Sequence, residues 1–338
     1  MTVLSVLDQS PIRTGVTPAG ALEETLRLAE ACDRLGYHRY WLAEHHSSNG
    51  LAGTAPEIMI GQVAARTKGL RVGSGGVMLS HYSPLKVAET FRMLEALFPG
   101  RIDLGIGRAP GSDGLTAHAM TVGPGALDHA RYPMQVSDLM GYLSGTLPHD
   151  HPFAKVRAQP AGDTVPALWL LGSSDQSAQL AAYFGRPFGY AHFISAENGP
   201  QIMRLYFDNY RPSEAWPAPC AAVAAFVICA DTDEEAERLI RTRDMWTVRQ
   251  RTGVTAPVPT VEEAEAYEFT PEQARLAAYN RKRWIWGSPD TAKAKLEALA
   301  AEFGVDELVI VTICPTFEAR LRSYELLAAA FGLTPRDP

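Results

Sequence analysis

Four short stretches carry residue types and spacings that could do chemistry. Glu44-His45-His46 closes the apolar run His38 to Ala43. Histidine changes protonation near neutral pH, so the pair suits general acid–base work, metal ligation or a structural role. No cysteine or carboxylate cluster stands near it to complete a metal site, so none is expected. Val72-Gly73-Ser74-Gly75-Gly76-Val77 puts glycines inside an apolar strand, which marks either a bulge or the close approach of a ligand or a second backbone. Leu104-Gly105-Ile106-Gly107-Arg108-Ala109-Pro110-Gly111 narrowly misses the dinucleotide fingerprint: the third glycine comes one place late, and proline follows where a helix should begin. Arg108 at a strand mouth suits a phosphate dianion; its plainer reading is a salt bridge to a loop carboxylate. Gly172-Ser173-Ser174-Asp175-Gln176-Ser177 offers hydroxyls and helix-start amides, read either as an anion site or as a plain N-cap. It is not a GxSxG nucleophile elbow.

The elements that must position these residues follow from the apolar periodicity. Strand-like runs cover Val3 to Leu7, His38 to Ala43, Leu70 to Val77, Arg101 to Gly107, Pro166 to Leu171, Phe188 to Phe193, Ala221 to Ala230 and Glu307 to Ile313. A helical pattern follows each, with signals such as Thr17-Pro18 at a start and Gly36 at a stop. A polar, glycine-rich loop runs from Ala109 to about Gly125. Thr247 to Trp286 reads as a polar insertion with no clear strand. Eight strand–helix units imply parallel strands and a (β/α)8 TIM barrel, a single domain over 1–338 with the insertion at 247–286 before the last βα unit. Barrel ligands are held just after the strands, where all four stretches fall.

At 338 residues and 46% hydrophobic, the chain can bury a large core. Net charge is −7 and no basic stripe stands out, which argues against nucleic-acid binding. No apolar run has the length of a membrane span, the N-terminus lacks the pattern of a signal peptide, and the four cysteines show no framework spacing. A cytoplasmic protein with reduced thiols is the expectation.

Trp41-Leu42-Ala43-Glu44-His45-His46, Val72 to Leu79, Gly100 to Arg108 and Leu171-Gly172-Ser173-Ser174, in this order, resemble the bacterial luciferase-like flavin monooxygenase family. The resemblance spans nearly the whole chain and implies reduced FMN across the mouth of a (β/α)8 barrel, with O2 as co-substrate and a small organic substrate. On this resemblance Arg108, Arg131, Ser173, Ser174 and Ser177 match the phosphate-binding positions. Gly75-Gly76 matches a non-prolyl cis dipeptide beneath the flavin ring, and Met78 falls near that ring. His45 matches the active-site histidine and His46 its neighbour. Ser80, Tyr82 and His192, with Tyr267, Trp284 and Trp286 of a lid-like insertion, fall where a substrate would be enclosed. Gly107 stands where luciferase has a reactive cysteine, and Ser80 to Tyr82 depart from its aldehyde pocket. The chain is therefore more similar to the single-gene branch that contains tailoring monooxygenases of aromatic polyketides. A dissociable flavin supplied by an NAD(P)H:flavin reductase and a homodimer formed through the helices after strands two and three are implied as well. The same superfamily leaves open a deazaflavin-dependent hydride transfer, a long-chain aldehyde monooxygenase and a non-catalytic flavin-binding subunit.

Overall fold

The computed structural model describes residues 2–109, 111–121 and 128–336, so Pro110 and 122–127 of the glycine-rich loop lie outside the described residues. The order is β1 (Val3–Asp8), α1 (Pro18–Leu35), β2 (Arg39–Leu42), α2 (Pro56–Arg66), β3 (Arg71–Met78), α3 (Pro84–Leu97) and β4 (Ile102–Gly107). Then come α4 (Gly114–Ala119), α5 (Tyr132–Ser144), β5 (Ala167–Gly172), α6 (Asp175–Tyr183), β6 (Phe188–Ala191), α7 (Gly199–Asp208), β7 (Ala221–Cys229) and α8 (Asp233–Arg251). The chain ends with α9 (Val261–Ala266), α10 (Pro271–Arg281), β8 (Trp284–Gly287), α11 (Pro289–Phe303), β9 (Glu307–Val311) and α12 (Phe317–Phe331).

Local chemistry sets these boundaries. The Thr17 side chain accepts the Gly20 N–H, Pro18 occupies the first helical turn, and Gly36 ends α1 at φ 92°, where a side chain would be strained. The strands are apolar on both faces because helices cover one side and the barrel interior the other. All strand pairs are parallel. The ring β1-β2-β3-β4-β5-β6-β7-β9 closes on itself, which is the (β/α)8 barrel. β8 stands outside this ring and pairs only with the Phe226–Cys229 half of β7. The 247–286 stretch is therefore more regular than its composition: α8 runs on to Arg251, and two short helices and β8 follow. Its helices begin at capping boxes, Thr260 with Glu263 and Thr270 with Gln273, a local signal inside the polar run.

The N-terminal end of the barrel is locked by an ionic network on the first residues of its strands. Arg39 bridges Asp103 and Glu307 at 2.8 Å each, Arg71 reaches Asp103 at 2.6 Å, and Ser5 donates to Glu307 at 2.6 Å. With that end packed, the C-terminal ends of the strands remain for ligands.

Candidate active site

At those C-terminal ends lies a cavity of about 370 Å³. Leu7, Trp41 and Val309 form its apolar depth, and His45, Arg108 and the Ser173–Ser177 turn form its polar edge. Gly75, Gly76 and Met78 of the third strand also line it.

The glycines serve two purposes. A Cβ on Gly73 would lie 2.2 Å from the Asp103 carbonyl oxygen, and one on Gly105 would lie 2.2 Å from that of Ser74. Tight strand packing thus requires these two. The Gly75–Gly76 peptide is cis, and the β3–β4 register shifts there between Gly75 and Val77. A Cβ on Gly76 would meet the Gly105 carbonyl oxygen at 2.6 Å, so one face of the dipeptide packs on β4 while the dipeptide itself lines the cavity. Gly107 differs: a Cβ there meets nothing within 4 Å, leaving open space on the cavity wall.

Arg108 leaves the end of β4 and donates to the neutral Gln176 side chain on α6; among the described residues no carboxylate pairs with it. Ser174 is the N-cap of α6 in a capping box with Ser177, whose hydroxyl donates to the Ser174 carbonyl at 2.6 Å. Both serines and Ser173 also line the cavity, so the turn is an N-cap and a cavity edge at once. A guanidinium without a carboxylate beside the amides of a helix start is an arrangement that attracts a phosphate.

His45 lines the cavity, and its Nδ1 is buried with no hydrogen-bond partner among the described residues. Burial first, and the neighbouring His46 second, pull its pKa from 6.5 down to about 4, so the ring is neutral at pH 7. His46 turns away: its Nε2 meets Glu44 Oε1 at 2.8 Å. Glu44 is the hub that the motif alone does not disclose. Its buried carboxylate accepts from the Tyr82 hydroxyl at 2.6 Å and from the Met78 N–H at 3.0 Å. Burial, followed by the bond to Glu44, raises the Tyr82 pKa and keeps it a donor. One carboxylate thus ties the segment after β2 to the end of β3. Gln9, just after β1, lines the cavity too; it reads in the sequence only as a strand terminator.

The other predicted residues lie off the lining. Ser80 is in the short 3₁₀ turn Leu79–His81, and Arg131 is exposed at the N-cap of α5. His192 follows β6 with its ring edge-on to Phe303 at 5.7 Å. Tyr267 accepts from Gln273 at 3.1 Å and stacks edge-on with Phe269. Trp284 is buried under Phe226, and Trp286 donates to Glu237 at 2.9 Å. Among the described residues no three His, Cys, Asp or Glu side chains converge as a metal site would require, and no helix is long and apolar enough to cross a membrane.

Comparison with known proteins gives a consistent picture. The uncharacterized protein YceB of Bacillus subtilis is 45% identical over 331 residues, covering 98% of this chain and 100% of that one. The N-acetyl-S-alkylcysteine monooxygenase of Bacillus subtilis is 37% identical over 331 residues, with 98% of each chain covered. The crystal structure of apo-MsnO8 superposes with a TM-score of 0.90 at 40% identity and 99% coverage of both chains. The luciferase-like monooxygenase model matches residues 2–307, and the chain belongs to that family of enzymes.

Proposed function

We propose that the cavity binds reduced FMN and that the protein uses it with O2 to oxygenate a small organic substrate. The observation that carries this reading is the convergence on one cavity of three features. These are, among the described residues, Arg108 with no carboxylate partner, the Ser174–Ser177 helix start, and His45, whose Nδ1 is without a partner, all on the cavity that Gly75 and Gly76 also line. Bound reduced flavin would supply the electrons that activate O2. Arg108, Ser173, Ser174 and Ser177 would hold the phosphate, and the Gly75–Gly76 floor with Leu7, Trp41 and Val309 would exclude water. Neutral His45 would hold a hydrogen bond to the reacting group through Nδ1. Glu44 would keep Met78 and the loop after β2 in place. The relative that is named for N-acetyl-S-alkylcysteine supports an organic substrate of modest size. A dissociable flavin delivered by a separate NAD(P)H:flavin reductase fits the same reading, as does a homodimer.

An anaerobic titration of the protein with FMNH2 and with reduced deazaflavin tests this, followed by turnover under labelled O2. We expect FMNH2 to bind and label to enter the product. Arg108→Ala should weaken FMNH2 binding by roughly ten- to a hundred-fold, the worth of a charge-assisted hydrogen bond. Preference for the deazaflavin, with substrate turned over in the absence of O2, would instead assign hydride transfer.

A further inference from the structure

Gln9 stands on the cavity with its hydrogen-bonding groups unspent. It lines the cavity just after β1, is 8% exposed, and among the described residues its carboxamide has no hydrogen-bond partner. The backbone that carries it is fixed. Ser10, the next residue, adopts φ 49°, a left-handed conformation unfavourable for a residue with a side chain. Buried Asp8 accepts the Ser10 N–H at 2.7 Å, Thr25 donates to the Ser10 hydroxyl at 2.9 Å, and the Ala52 N–H donates to the Ser10 carbonyl at 2.9 Å. Asp8 is itself clamped by the buried Arg320 at 2.6 Å. Backbone strain held from several directions is what a positioned functional residue requires.

The other polar groups of the lining are engaged or stand elsewhere. The ring order puts β1 opposite β5, so the Ser173–Ser177 turn, with Arg108 after the neighbouring β4, lies across the mouth from Gln9. The Trp41 indole N–H is spent on Asp103 at 3.0 Å, and the Glu44 carboxylate on Tyr82 and the Met78 N–H. The wall from β7 and β9, on the other side of β1, is apolar: Ala222, Ala224 and Val309. His45 is the polar group beside Gln9. Its N–H donates to the Gly53 carbonyl at 2.8 Å, and Gly53 packs against both strand ends: a Cβ on it would lie 3.0 Å from the Ala43 carbonyl oxygen and 3.8 Å from that of Gln9.

A carboxamide presents one acceptor and two donors in a plane and carries no charge. Side chains this buried are seldom left unpaired, because the unmade bonds are costly. With Arg108 across the mouth, no guanidinium or ammonium lines the Gln9 side among the described residues, so a neutral group is matched there rather than an anion. A carbonyl uses the donors of Gln9, and a secondary amide uses its donors and its acceptor together.

We propose that Gln9 orients the substrate by hydrogen-bonding a carbonyl or amide group on it, while the apolar part of the substrate lies against Ala222, Ala224 and Val309 and His45 is left for the reacting group. This deepens the flavin reading and rests on it, since it takes the cavity to be where the substrate is oxidised. Gln9 is a positioning residue for the substrate, separate from the phosphate side at Arg108.

Calorimetric titration with acetanilide, acetophenone and ethylbenzene tests it, on protein with and without FMN. The three probes are alike in size and differ in offering an amide, a carbonyl or no polar group. The FMN-loaded wild type is expected to bind them in that order of affinity, each step roughly three- to ten-fold, the worth of one neutral hydrogen bond. Gln9→Met keeps the length and removes the amide, so it should bind the three nearly alike and bind FMN as the wild type does. A merely structural role would weaken all three together and keep their order. The proposal is overturned if the wild type binds the probes alike or binds none, if Gln9→Met keeps the ranking, or if Gln9→Met alone loses FMN, which would put Gln9 on the flavin instead. Should Gln9→Met fail to fold, Gln9→Asn decides: it withdraws the amide by one methylene and should blunt the ranking, and an undiminished ranking there overturns the proposal. Failure of FMN to bind the wild type would sink the flavin reading by itself, and the ranking on FMN-free protein then decides the role of Gln9.

Discussion

At the scale of residues, His45 is the most exposed to test. Its pKa of about 4 in the folded protein lies below the ordinary 6.5 because burial penalises the cation and His46 adds repulsion. The sign follows from which state binds more protons: between those values the unfolded chain does, so stability rises with pH. The contribution is complete above pH 6.5 and is lost as pH falls towards about 4. It amounts to roughly 3 kcal/mol for a shift of this size. His192, lowered to about 4 by burial and by Arg283, acts in the same window. Urea melts across this range should show the loss in the wild type and a flatter slope in His45→Asn; equal slopes would remove the linkage. His45→Ala should bind FMNH2 normally and lose oxygenation, and full product yield from that variant would end the role assigned to Nδ1. His45, Arg108, the serine turn and Gly75–Gly76 were legible because each sits in a short contiguous motif at a strand end. Glu44 as hub was not, since its partner Tyr82 lies 38 residues away.

At the scale of elements, the segment after α8 is held by charge pairs as well as by the burial of Val258, Trp284 and Ile285. Asp244 on α8 has 4% side-chain exposure and is bound by Arg281 at the end of α10. Arg281 also reaches Glu237 at 2.7 Å and stacks over Trp286. Removing one partner leaves a buried charge, which costs about 3–5 kcal/mol. Arg281→Ala should therefore release α10 and β8 from α8, read as accelerated trypsin cleavage within 252–288 while cleavage elsewhere is unchanged. Uniform protection would show that β7–β8 pairing alone secures the segment. Their length explains why these elements were hard to see. α9 has six residues and β8 four, too short for periodicity to speak, and the strand pairing of β8 is with Phe226–Cys229 alone among the described residues. Only the capping boxes could have announced them.

At the scale of the molecule, the alternation of strands and helices carried the barrel, because eight strand–helix units in one chain of this length, joined by right-handed crossovers, favour a closed ring over an open sheet. How copies associate depends instead on the outer face. There α2 and α3, the helices following β2 and β3, leave Ile58, Met93 and Leu97 exposed by 66%, 57% and 65%. Apolar side chains this open on two adjacent helices suit the proposed homodimer, in which a two-fold axis through the patch would cover it with itself. The same helices carry no part of the cavity lining, so association and chemistry can be separated. Leu97→Glu and Met93→Glu place like charges opposite each other across such an axis and should halve the mass seen by light scattering. Ile58→Ala should only weaken the dimer. FMNH2 binding should persist in the monomeric variants, since Arg108, His45 and the α6 start all come from one chain. A monomeric wild type would end this assignment and leave the patch to another partner.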